Sequence, residues 1–131
     1  MSSYNMINGV YTSQNKPLLN TYLRQESGFK GLVMTDWFAG KNAIEQMEAG
    51  NDLLMPGTKA QKISIIDAVK TGKLTMKQLD ENVKRVLELV LKSPTFKGYK
   101  YSETPDLKKH AQISRQVASE GMILLKNEGV L

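Results

Sequence analysis

Gly31-Leu32-Val33-Met34-Thr35-Asp36-Trp37 is a short apolar run that ends on a carboxylate and an indole. An uninterrupted apolar run of this length reads as a strand buried on both faces, as in a parallel sheet. The C-terminal ends of such strands are where α/β folds assemble their sites, so Asp36 is the first candidate for chemistry. An aspartate at a strand end is equally a common helix N-cap, and the residue alone does not separate the two readings. Trp37 offers a flat apolar surface of the kind on which sugar rings stack, and the pair points to a carbohydrate site.

Working outward, the chain alternates strand and helix signals. Met1 to Asn5 reads as a short strand, followed by a loop carrying Asn8-Gly9 and Ser13-Gln14-Asn15. Asn15 can cap a helix from Lys16 to Glu26, with Leu19, Tyr22 and Leu23 on one face and Gly28 at its end. After the central strand, a helix from Asn42 to Ala49 buries Ala43, Ile44 and Met47 and stops near Gly50. Leu53 to Met55 is the third strand, closed by Pro56-Gly57. Thr58 with Gln61, and Thr75 with Gln78, each fit a capping box, and Leu74 and Leu79 flank the second at staple positions. The helix from Met76 to Lys92 places Leu79, Val83, Val86, Leu87 and Val90 on one stripe, which reads as core packing. Ser93-Pro94 ends it.

Residues 93–104 read as a linker rich in Lys, Tyr, Ser and Thr. Thr104-Pro105-Asp106 opens a further helix, with Pro in the first turn and Asp106 at the positive end of the dipole, running to Glu120. Met122 to Leu125 then reads as a strand.

The 131 residues are 40% hydrophobic and 24% charged, ordinary for a globular domain. No apolar run approaches the roughly 20 residues of a membrane-spanning helix, and Met1-Ser2-Ser3-Tyr4 lacks the pattern of a secretory signal. The absence of cysteine excludes disulfides and thiolate metal sites. A net charge of +5 permits anionic partners. Lys92, Lys97, Lys100, Lys108 and Lys109, interleaved with Phe96, Tyr99 and Tyr101, superficially resemble a single-strand groove. Base-contact motifs are missing, so the stretch reads as a solvated linker; neither nucleic acid nor membrane is an expected partner.

The order of Met1-Ser2-Ser3-Tyr4-Asn5, Ile7-Asn8-Gly9-Val10, Gly28-Phe29-Lys30-Gly31, Thr35-Asp36-Trp37 and Ala49-Gly50-Asn51-Asp52-Leu53-Leu54-Met55-Pro56 closely resembles the later part of the catalytic barrel of family 3 glycoside hydrolases, the β-glucosidase group. Ala118 to Glu128 resembles the entry into that family's second domain. The resemblance implies an α/β fold, a partial TIM-type (β/α) barrel with about three parallel strand–helix units plus extra C-terminal helices. In that reading, residues 1–92 are the C-terminal part of a (β/α)8 barrel, 93–104 the linker, and 105–131 a helix and first strand leading into the second domain. A whole barrel needs about 250 residues, so the chain reads as a fragment or an oligomer with exposed apolar surface.

The implied chemistry is retaining hydrolysis of a β-glucoside-like carbohydrate. By its match to the family motif, Asp36 is the catalytic nucleophile, Tyr4 lines the same subsite and can donate a hydrogen bond to it, and Trp37 is the wall against which the sugar lies. No cofactor or metal is implied. The family's Lys-His pair, an arginine and a further aspartate lie on strands this chain does not contain, and its acid/base residue comes from the second domain. The chain alone is therefore expected to lack appreciable activity, its partner being the rest of the parent enzyme or another copy. The alternative is a non-catalytic sugar-binding or assembly module derived from the same fold. Other candidates read as structural: Asp52 as a brace for its turn, His110 as a surface or packing residue, Ser2 and Ser3 as strand or loop residues. Glu120 and Glu128 do not match the acid/base position.

Overall fold

A computed structural model describes residues 1–129, which fall into two units, Met1–Gly98 and Tyr99 onward. The boundary between them lies inside the stretch read as a linker.

In the first unit, three segments run side by side in parallel. Ser2 bridges to Thr35, and Met34 bridges to Leu53. The Ser2 N–H donates to Met34 O (2.8 Å), the Asp36 N–H to Ser2 O (3.0 Å) and the Thr35 N–H to Leu53 O (3.0 Å). The three expected strands therefore lie in chain order, first, second, third, but each is cut to a bridge. Side chains and turns take over the ladder: the Met55 N–H goes to Thr35 Oγ1 (2.8 Å) and the Val33 N–H to Asp52 Oδ2 (2.9 Å). The longer strands expected at Met1 to Asn5, Gly31 to Thr35 and Leu53 to Met55 are corrected accordingly.

The only two-stranded ladder among the described residues is a hairpin, β1 (Met6–Ile7) and β2 (Val10–Tyr11), pairing Met6 with Tyr11 and Ile7 with Val10. Asn8 (φ 51°) and Gly9 (φ 79°) form the two-residue, left-handed turn that matches the twist of a hairpin. A hairpin therefore stands where a loop is expected, and Asn-Gly between apolar pairs is its signal in the sequence.

Helix limits follow their caps. Pro17–Glu26 is wound with π-type bonding, the Ser27 N–H reaching Tyr22 O, while Asn15 Oδ1 accepts from the Leu18 N–H (3.0 Å). Helix α1 (Ala43–Ala49) starts on Asn42, whose side chain accepts from Ile44 and Glu45, and ends on Gly50 at φ 93°. Helix α2 (Lys59–Lys70) has the reciprocal Thr58–Gln61 box. Helix α3 (Met76–Lys92) is capped by Thr75, but Gln78 does not return to the cap; its amide donates to Asn82 Oδ1 (3.0 Å), so the second box is half formed. The core is small: Ala43, Met47, Leu54, Ala68 and Leu74, with Leu79 against them, and a second group of Leu19, Val33 and Ala49.

The α3 stripe departs most from expectation. Leu79 and Val86 are partly covered, whereas Val83, Leu87 and Val90 are exposed. The buried residue of α3 is Asn82, whose amide donates to Asn51 O (2.8 Å) and Asp52 Oδ1 (3.0 Å). Asp52 is the hub. Its fully buried side chain meets Arg24 Nη2 (2.8 Å), Arg85 Nε (2.9 Å), the Val33 N–H and Asn82. It thus ties the Pro17–Glu26 helix, the second and third segments and α3 together, which is the bracing role expected of it.

In the second unit, helix α4 (Leu107–Glu120) is capped by Asp106, which accepts from the Lys109 N–H (2.9 Å). Pro105 precedes that cap instead of occupying the first turn. His110 is exposed on α4. Met122 to Leu125 carries no strand, correcting that expectation, because no described segment pairs with it; the end of the 105–131 segment, 130–131, lies outside the described residues.

Removing the hub carboxylate strands two guanidinium groups and an amide. Asp52→Ala is expected to lower the unfolding free energy by about 3 kcal/mol or more, read as a shifted denaturant midpoint. Arg24→Ala should cost less, since Arg85 and Asn82 still serve the carboxylate.

Candidate active site

Asp36 stands where the second segment ends. Its N–H is held by Ser2 O and its carbonyl accepts from the Ala39 N–H (3.1 Å), so the backbone turns immediately after it. Its carboxylate is half-buried, with Oδ1 accepting from the Trp37 N–H (2.7 Å) and from Tyr4 Oη (3.1 Å). No described residue donates to Oδ2. Tyr4, Asp36 and Trp37, named from the sequence, are thus brought together, with Tyr4 (55% exposed) and Trp37 (54%) both open to an incoming molecule. The phenol of Tyr4 is pushed up from its ordinary value by loss of solvent around it, by its hydrogen bond to Asp36 and by that group's negative charge, with the Trp37 backbone opposing.

The turn beyond Trp37 is unusual. Phe38 adopts φ 60°, a left-handed conformation that costs a bulky residue about 1–3 kcal/mol, and its N–H donates to Met55 O (3.0 Å) at the end of the third segment. Its ring meets Trp37 edge-on, with centroids 6.1 Å apart and planes at 87°.

Behind this turn lies a buried polar network that the sequence did not reveal. Gln46 on α1 donates to Ala39 O (2.7 Å) and Ser13 Oγ (3.1 Å). Asn51 donates to Ser13 O and accepts from Ser2 Oγ (3.2 Å). Gln14 Oε1 accepts from the Lys41 and Asn42 N–H groups (2.7 and 3.2 Å). Gly40, at φ 76°, sits against this network, and a Cβ there would collide with Gln46 Nε2 and Ser13 Oγ. The one available signal was Gln46 itself, a polar residue on the inward face of α1 beside Met47.

Among the described residues no group of three His, Asp or Glu side chains could hold a metal ion. Asp52 is buried under the segments and away from solvent, while Asp36 faces it.

Comparison with known proteins bears on this arrangement. Residues 1–89 match the family profile described as Glycosyl hydrolase family 3 N terminal domain. Among curated relatives, a beta-glucosidase of Rhizobium radiobacter is 40% identical over 139 aligned positions, covering 100% of this chain and 16% of the relative. An exo-alpha-(1->6)-L-arabinopyranosidase of Bifidobacterium breve is 36% identical over 134, covering 100% and 17%. The structure of beta-glucosidase 3B from Thermotoga neapolitana in complex with glucose superposes with a TM-score of 0.86 at 46% identity, covering 98% of this chain and 19% of that one. The chain thus spans less than a fifth of the length of these proteins.

Two outcomes are expected from the geometry. In a near-ultraviolet difference titration, the tyrosine lost in Tyr4→Phe ionises above the ordinary value of about 10, and Asp36→Asn brings that ionisation down by removing the adjacent charge. Gly40→Ala lowers stability by at least about 1 kcal/mol through its left-handed φ and the crowded Cβ, measured by thermal unfolding.

Proposed function

The chain belongs to glycosyl hydrolase family 3, and from that premise we propose that it supplies the nucleophile side of a retaining β-glucosidase-like active site. The observation that carries the reading is the Asp36 carboxylate: one oxygen is held by two donors, the other is open, and an indole stands beside it. Asp36 is the catalytic nucleophile, and Tyr4 and Trp37 are substrate-binding.

Asp36 Oδ2 attacks the anomeric carbon as the glycosidic C–O bond breaks, and the departing oxygen takes a proton from an acid on the opposite face. Water then attacks the glycosyl ester, gives its proton to the conjugate base of that acid, and releases Asp36. The Tyr4 hydroxyl and the Trp37 N–H fix the carboxylate's direction before attack, so the nucleophile is oriented in advance. Trp37 covers the apolar face of the pyranose. No cofactor takes part.

We assign residues 1–92 to the C-terminal part of a (β/α)8 barrel, 93–104 to a linker and 105–131 to the approach to a second domain. The exposed stripe on α3, with Val83, Leu87 and Val90, is then a surface for the remainder of the parent enzyme or for a second copy. The acid/base group is required from that remainder. The substrate is a β-glucoside-like carbohydrate; nucleic acid and membranes are not partners. This reading draws the proton donor opposite Asp36 and the walls that close the site from outside residues 1–131, so residues 1–131 alone are inactive.

A mechanism-based 2-deoxy-2-fluoroglucoside tests this. In the polypeptide as naturally expressed, peptide mapping is expected to find the glycosyl label on Asp36, and Asp36→Ala to lower kcat/KM by more than about 10³-fold. Residues 1–131 alone should release no aglycone above the buffer rate. A label elsewhere, or an active Asp36→Ala variant, rejects the assignment; sugar binding with no label favours the non-catalytic module.

A further inference from the structure

Phe38 has no assigned role, yet its placement is costly. It combines a left-handed backbone (φ 60°) with a side chain 63% exposed, so it is strained without burying its ring in the core. An aromatic residue under these two penalties is retained for something other than folding. The contacts say what. Its N–H is pinned to Met55 O, which fixes the turn, and its ring lies edge-on to the Trp37 indole at 6.1 Å and 87°. Trp37 is itself 54% exposed, and Phe38 is the aromatic ring against it. An exposed indole without such a neighbour samples several rotamers, and each rotamer turns its face in a different direction.

We propose that Phe38 is a positioning residue: its ring sets the orientation of the Trp37 face that takes the apolar side of a pyranose. Near-perpendicular rings are a favoured arrangement for such pairs, and Trp37 stays more than half exposed beside its neighbour. The left-handed turn is what brings consecutive aromatic side chains into that contact, since the normal β conformation sends neighbours to opposite sides of the strand. The saccharide part of this inference rests on the family reading above; the orientation of Trp37 does not.

Trp37 is the chain's one tryptophan, so its emission reports the site directly. Time-resolved anisotropy of residues 1–131 is the deciding measurement, with far-ultraviolet circular dichroism as the check that each variant is folded. Phe38→Gly relieves the backbone and deletes the ring; Phe38→Ala deletes the ring and keeps the strain; Phe38→Tyr keeps the ring. The expected result is a fast nanosecond depolarisation of Trp37 that grows by about twofold or more in both Phe38→Gly and Phe38→Ala and returns to the original in Phe38→Tyr. Unchanged anisotropy in Phe38→Gly overturns the proposal, as does a failure of Phe38→Tyr to restore it. Calorimetric binding of D-glucose to the polypeptide as naturally expressed adds a second arm, with affinity weakened several-fold in Phe38→Gly and recovered in Phe38→Tyr. If glucose affinity is the same in Phe38→Gly as in the original polypeptide while the anisotropy pattern holds, the saccharide part fails and the positioning role stands.

Discussion

The fold depends on one buried carboxylate. Asp52 accepts from two guanidinium groups, an amide side chain and a backbone N–H, and those donors come from the Pro17–Glu26 helix, the second segment and α3. A carboxylate this deep is tolerated only when its lone pairs are filled, and here they are filled by parts that the small apolar core does not otherwise hold in register. The parallel segments meet at single bridges, each flanked by a few backbone hydrogen bonds. Side chains extend that pairing and help set the register, with Asp52 serving Val33 and Thr35 serving Met55.

From that frame the site follows by position. Asp36 and Asp52 both lie close to the parallel segments, and their surroundings give them opposite fates. Asp52 precedes the third segment on the side where Arg24 and Arg85 converge, and is fully paired. Asp36 follows the second segment, where the chain turns out to solvent, and only one of its oxygens is engaged. The polar network of Ser13, Gln46 and Asn51 holds the turn from behind, so the open carboxylate is supported by buried groups. Support beneath a partly solvated front fixes the direction of the carboxylate before anything meets it.

Local signals in the sequence were legible where a short pattern carries its own geometry. Thr58 and Thr75 cap helices as their neighbours suggested and Gly50 closes α1, whereas Asn42 and Asp106, expected inside the first turns, turn out to be the caps themselves. The parallel order of the three segments and the meeting of Tyr4 with Asp36 were also anticipated. What failed was what depends on distant partners. Gln78 had a choice between its cap and Asn82, and took Asn82. The run Met122 to Leu125 has strand composition but no segment to pair with, and a strand is a property of the pair. The left-handed Phe38 had no sequence signal, because glycine or asparagine is what such a turn ordinarily displays.

Helix α3 shows how orientation and stability can be supplied by different groups. Asn82 and Arg85 hang the helix on the hub through directed hydrogen bonds, which fix its rotation and height. Val83, Leu87 and Val90 point to solvent, so their transfer free energy, about 25 cal/mol per Å² of apolar surface, is not yet gained. A helix held only by packing would turn its apolar stripe inward; polar anchors prevent that and keep the stripe on the outside. The same anchors hold Asp52 and, through it, Val33 and the segment that ends at Asp36. Covering the stripe would therefore add stability without changing where the carboxylate points, since the polar frame has already set its direction.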